Sequence, residues 1–129
     1  MLNKFFLRAA VTAVALTCTA GSVSAEQYRI VLTDFAFFPE ISYLLPGDEV
    51  TFENTSGAVR DIAAADGSWS VEALADGAEA MLVITEGMPN EFETFVPGGA
   101  EDPVDENGNL RVVGVMNFSG APEPVDPQN

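Results

Sequence analysis

The sequence predicts an all-β fold, a Greek-key antiparallel β-sandwich or barrel of seven to eight strands. Three observations predict it. Short segments alternate apolar with polar residues at a period of two. Clusters of Gly, Pro and Asp recur between them at close spacing. No stretch sustains a helical period with caps at its ends.

The elements follow in order. Tyr28, Ile30 and Leu32 alternate with Arg29, Val31 and Thr33. Phe35, Phe37 and Pro39 come next, then an apolar run from Ile41 to Leu45. Pro46-Gly47-Asp48 is a turn, because proline presets one turn position and glycine permits a positive φ. Val50 to Asn54 alternates again, and Val59 to Ala63 is a further strand. Ala65-Asp66-Gly67 and Ala75-Asp76-Gly77 are turns flanking Trp69 to Leu74, with a short helical turn expected near Val71 to Ala75. Met81 to Thr85 is β-like. Glu91-Phe92-Glu93-Thr94-Phe95 alternates acid with aromatic, as a strand with one dry and one wet face does. Pro97 to Asn109 is a long loop rich in Gly, Pro and acid, and Leu110 to Phe118 is the last strand.

The chain has 129 residues. Its first 25 read as a cleaved signal peptide: Lys4 and Arg8, an apolar stretch from Ala9 to Leu16, then Val23-Ser24-Ala25 as the small-residue cleavage site. The apolar stretch is too short to span a bilayer as a helix. Cys18 fits a lipidation motif poorly. Thr17 directly precedes it and Leu16 lies two before, where the motif wants a small residue and a bulky one three before. It is expected to leave with the signal. A single β-sandwich domain is expected over residues 26–120, followed by a disordered acidic, proline-rich tail over 121–129. The expected address is the periplasm or the exterior.

Residues 26–129 hold three arginines, Arg29, Arg60 and Arg111, against all 20 acids, a formal charge of −17. Such a surface repels nucleic acid and anionic membrane, so neither is expected as a partner. No cysteine remains to form a disulfide, although the export route permits them.

The segment FAFFPEISYLLPGDEVTFENTSGAVRDI, residues 35–62, resembles the cupredoxins, the family of plastocyanin, azurin and pseudoazurin. The matching positions are Phe35, Phe37, Pro39, Gly47, Asp48, Val50, Phe52 and Asn54, and their spacing fits without a gap. Ser42 departs from the family's preference for an apolar residue three after the proline. The resemblance implies a copper site at one end of the sandwich. Counting six residues from Asn54 brings Arg60 to the first histidine position, with Asp61-Ile62 after it. Counting six from Gly87 brings Glu93 to the cysteine position, and three more bring Val96 to the second histidine position. A type 1 copper centre needs two imidazoles and a thiolate with a weak axial ligand. The chain contains no histidine, and its one cysteine is Cys18. The resemblance therefore implies the fold without the copper site, and no cofactor is expected.

Four candidate sites follow. Arg60 and Glu93 either pair through a charge-assisted hydrogen bond that ties two loops, or both face water. Asp102, Asp105, Glu106 and Asn107 crowd together before Gly108. Aligning that glycine with the EF-hand turn puts Pro103 and Gly114 where acids belong, so a solvated hairpin loop turning at Asn107-Gly108 is the reading. Met81, Met88 and Met116 could offer thioethers to Cu(I), but they are scattered, and Met81 and Met116 fit core strand positions. Trp69 is either a rim contact or, preferably, a core aromatic. No base of the usual kind accompanies Ser68 or Ser70, so no enzyme is expected. The expected function is a binding or accessory module in the bacterial envelope. It is expected to be a monomer and to meet a protein partner through Arg60, Asp61, Trp69 and Glu93, at the end where the family keeps its metal. The alternative is a metal-handling protein binding copper or calcium through carboxylates and methionines, and an enzyme working with carboxylates alone is the third.

Overall fold

A computed structural model describes residues 25–122. The stretch up to Ser24, where a signal peptide is expected, and the stretch beyond Pro122, where a disordered tail is expected, lie outside the described residues. Ala121 and Pro122 carry no regular structure.

Nine strands form: β1 (Gln27–Leu32), β2 (Phe37–Phe38), β3 (Ile41–Tyr43), β4 (Glu49–Asn54), β5 (Arg60–Ala64), β6 (Ser70–Leu74), β7 (Glu79–Val83), β8 (Glu91–Pro97) and β9 (Asn109–Asn117). One sheet has the order β2-β1-β4-β7, the other β3-β9-β8-β5-β6. The all-β sandwich read from the sequence is what forms, and no helix occurs among the described residues. Two finer points differ. The stretch from Phe35 to Leu45 supplies two short strands, β2 and β3, on different sheets, so the strands among the described residues number nine rather than seven to eight. Both sheets are mixed, since β1 runs parallel to β4 and β3 parallel to β9.

Alternation decides the faces. In β4, Val50, Phe52 and Asn54 turn inward and Glu49, Thr51 and Glu53 outward. In β8, Phe92, Thr94 and Val96 face the core, while Phe95 shares the outer face with Glu91 and Glu93. The core joins both sheets through Ile30, Leu32, Val50 and Phe52 on one side and Ile62, Phe92, Val96 and Met116 on the other. Phe92 lies edge-on to Phe37 and Phe52, with ring centroids 4.7 and 5.4 Å away. Its ring occupies the space a side chain on Gly114 would need: a Cβ there would stand 2.2 Å from the Phe92 Cζ. That close approach explains a glycine in the middle of the longest strand.

Two expectations are corrected. Val71 to Ala75 forms no helical turn, since Ser70–Leu74 is an edge strand. It is an interrupted one. Arg60 opposes Leu74 while Ile62 opposes Val71, so β6 carries an extra residue, and Ala73 there takes a φ of 53°. Met81 is not a core residue, because β7 turns it outward at 61% exposure. The inward side of β7 is formed by Ala80 and Leu82, so apolar residues occupy both faces of this strand.

Candidate functional site

One end of the sandwich is built from the loops after β1 and β4 and the start of the long loop after β8. Asn54 fixes its geometry. Its side chain is fully buried, and its Nδ2 donates to Ala58 O and Leu74 O, both at 2.7 Å. Its Oδ1 accepts from the Ser56 amide at 2.9 Å and from Ser56 Oγ at 2.7 Å. One amide thus saturates its own hydrogen-bonding capacity and folds Thr55 to Val59 into a tight loop. The loop is held to its neighbours as well. Thr55 N donates to Leu32 O at 2.8 Å, and Gly57 N to Asp76 Oδ1 at 2.9 Å.

Arg60 emerges from this loop at the start of β5. Its Nε donates to Ser56 Oγ at 3.2 Å. With Asp34, Phe35, Ser56, Val96 and Pro97 it lines an open recess of about 280 Å³. Phe35 and Val59 stand exposed at this end, at 65% and 60%. Among the described residues Arg60 is the one arginine with no carboxylate within 4 Å. Arg29 holds Glu53 and Glu79, and Arg111 holds Glu91 and Glu93.

The Arg60–Glu93 pair is therefore not formed. Glu93 lies on the outer face of its sheet and binds Arg111, which sits diagonally across the β8–β9 ladder. The face parity of β8 is the reason. Phe92 points inward, so Glu93 must point out. The pairing of Ala63 with Glu93, continued along both strands, places Val96 opposite Arg60. Fully buried Val96, with Pro97 after it, is what β8 brings to the recess beside Arg60. This set does not fit copper. A guanidinium offers donors and no lone pair, and a valine offers hydrocarbon.

The other sequence candidates stand elsewhere. Trp69 lies in the loop after β5, at the opposite end of that strand from Arg60, about 13 Å away along a β rise of about 3.3 Å per residue. It packs on Phe52 and Phe92 at centroid distances of 5.9 and 6.3 Å and is partly buried against the core. Its Nε1 is buried and finds no acceptor among the described residues. Asp61 is exposed, yet its Oδ1 accepts the Ala73 amide at 2.7 Å and so latches the interruption in β6. Met81 is exposed, Met88 borders the core and Met116 is fully buried, so the three thioethers are not gathered. Among the described residues no three His, Cys, Asp or Glu side chains are grouped to hold a metal ion.

The acidic loop closes as a hairpin. Asp105 Oδ1 accepts the amides of Asn107 and Asn109 at 2.8 and 2.9 Å, and Gly108, at φ 77°, makes the turn. Those amides hold the Asp105 carboxyl below its usual range, with Asn109 the larger cause. Sequence reasoning missed Asp34, Phe35, Ser56 and Pro97 as recess residues. It could have found Ser56, since Asn-Thr-Ser-Gly after a strand is an Asx-turn signal.

The chain matches no protein-family model and none of the curated proteins. Among solved structures it is similar to a pseudoazurin from Sinorhizobium meliloti, at 20% identity over 75% of this chain and 76% of that one, with a TM-score of 0.45. The likeness transfers no residue's role.

Proposed function

We propose that the chain is an exported, non-enzymatic cupredoxin-like module without a type 1 copper site, and that it binds a protein partner in the envelope at its Arg60 end. The observation that supports this is Arg60 itself. In a chain with acids in such excess, an arginine without a carboxylate sits beside exposed Phe35 and Val59. Exposed apolar side chains, one of them aromatic, beside a lone guanidinium are the composition of an interface anchor. A type 1 copper role has no ligands to rest on, since neither imidazole nor mature thiolate exists in the sequence.

Two measurements test it. The exported protein is titrated with Cu(I), Cu(II) and Ca²⁺ by calorimetry, with elemental analysis of the untreated sample. Stoichiometric metal would replace the partner reading by metal handling. In parallel, a photo-crosslinking residue is placed at Phe35, at Val59 or at Met81 on the opposite sheet. A discrete adduct is expected from the first two and not from the third, and it is lost with Arg60→Glu. Equal labelling at all three positions would defeat the assignment of the Arg60 end.

A further inference from the structure

We propose that the mature chain carries a bound N-terminus, with the α-ammonium that cleavage after Ala25 creates on Glu26 captured by the buried carboxylate of Asp48. This rests on the export reading above. The cleavage is hydrolysis by a signal peptidase. Water adds across the Ala25–Glu26 amide, Ala25 leaves with the new carboxylate, and the Glu26 nitrogen takes up protons to become ammonium.

Asp48 is the reason. Among the described residues it is the one buried carboxylate, at 6% exposure, and no arginine lies within 4 Å of it. Buried carboxylates normally have a cation, because desolvating an unpaired charge is costly. Here Oδ2 accepts the Leu45 amide at 2.7 Å, and Oδ1 accepts the Glu26 amide at 3.2 Å. The Glu26 nitrogen is the atom that cleavage converts from a single neutral donor to a charged triple one. Its position is fixed independently, since Glu49 N donates to Glu26 O at 3.0 Å and β1 begins at the next residue. Ala25 lines a recess of about 320 Å³ with Tyr28, Leu45, Pro46 and Asp48, so its departure leaves room for an ammonium to turn.

The other charged groups nearby favour the same outcome. The Glu26 carboxylate accepts the Tyr28 hydroxyl at 2.6 Å, and Glu49 accepts Gln27 Nε2 at 3.3 Å. Both are anionic. The hydrogen bond to Glu26 pushes the Tyr28 phenol up to about 12, so it stays neutral across the range in which an amine titrates.

Composition makes the test selective. Lys4 is the one lysine of the sequence and lies upstream of the cleavage site, so the processed chain has a single amine. The full chain is expressed in a Gram-negative host, recovered from the periplasm and weighed by mass spectrometry. Reductive methylation with ¹³C-formaldehyde then labels the α-amine alone, and its NMR shift is followed with pH. The expected result is a mass starting at Glu26 and a midpoint at least one unit above the ordinary value of about 7.7–8.0. Asp48→Asn should return it to that value. A raised folded pKa adds stability below about pH 7.7, lost as pH rises through the folded value. The Tm gap between the processed protein and its N-acetylated form should therefore be flat below about pH 7.5 and close above it. A mass starting elsewhere would overturn the proposal together with cleavage at Ala25. A Glu26 start with an ordinary midpoint would overturn the capture alone. If Asp48→Asn does not fold, the Tm gap of the wild-type protein decides, and a gap that is absent or independent of pH rejects the pair.

Discussion

Asn54→Ala is expected to remove about 3 kcal/mol of stability and to release the Arg60 loop. The substitution deletes two donated and two accepted hydrogen bonds at a site with no exposure. Ala58 O keeps Ser56 Oγ as a donor, so it is not orphaned, and Ser56 is near enough to solvent to recover water. Leu74 O is different, because its bond to Nδ2 is buried. An orphaned buried carbonyl costs about 1–3 kcal/mol, and each lost neutral bond about 0.5–1.5 kcal/mol net. One full orphan and partial losses for the others give the total. At about 4–8 °C per kcal/mol for a domain of this size, Tm falls by about 12–24 °C. Urea unfolding followed by Trp69 fluorescence measures it, and amide exchange at Gly57 to Arg60 reports the loop. Asn54→Asp should be comparably unstable at neutral pH and recover as pH falls, since a buried carboxylate with a raised pKa regains a donor on protonation. A loss under about 1 kcal/mol for Asn54→Ala, or unchanged exchange at Gly57 to Arg60, would refute the claim that one amide organises this end.

Gly114→Ala should cost about 1–3 kcal/mol, near the top of that range, because Phe37 and Phe52 hold the Phe92 ring that the new methyl would strike. A neutral result in urea unfolding would mean the ring has somewhere to go. A double-mutant cycle on Glu93 and Arg111 should give coupling of about 0.2–1 kcal/mol, while the cycle on Glu93 and Arg60 stays within error. The reverse order would restore the loop-tying pair. The hairpin at Asp105 should hold its order at neutral pH and lose it as pH falls through a midpoint below 3.8. The direction follows from a lowered folded pKa, whose contribution is present above the unfolded value and disappears on acidification. Amide shifts of Asn107 and Asn109 with a midpoint at or above 3.8 would contradict it.

Strands were legible where polarity alternates strictly. β4 and β8 read directly because an outward acid separates inward apolar residues. β7 was displaced by two residues in the reading because Met81 and Val83 are apolar on the wet face, and alternation carries no signal when both faces are apolar. β6 looked helical because its extra residue destroys the period. The mixed sheets were illegible, since whether neighbours run parallel depends on the crossings between layers rather than on any segment. At the candidate site, Arg60 was found by counting along a gapless motif. Glu93 was misplaced because the count from Gly87 crossed a loop, and strand parity would have rejected it. Its true partner could not be read at all, because Arg111 reaches Glu93 only through the register of a hairpin with a long loop.

Ala73 has a consequence at the rim of the molecule. Open sheet borders invite a strand from another molecule, since their unpaired amides and carbonyls are a template. Here β6 forms one such border, and its left-handed residue breaks the regular line of the strand while Asp61 of the inner neighbour β5 holds that interruption in place. At two other borders, β2 and β3 are two and three residues long, too short to guide an incoming chain. The remaining border, β7, bears Glu79 on its wet face, engaged by Arg29. A sandwich with apolar residues on its outside is thereby given borders that discourage end-on growth into fibres.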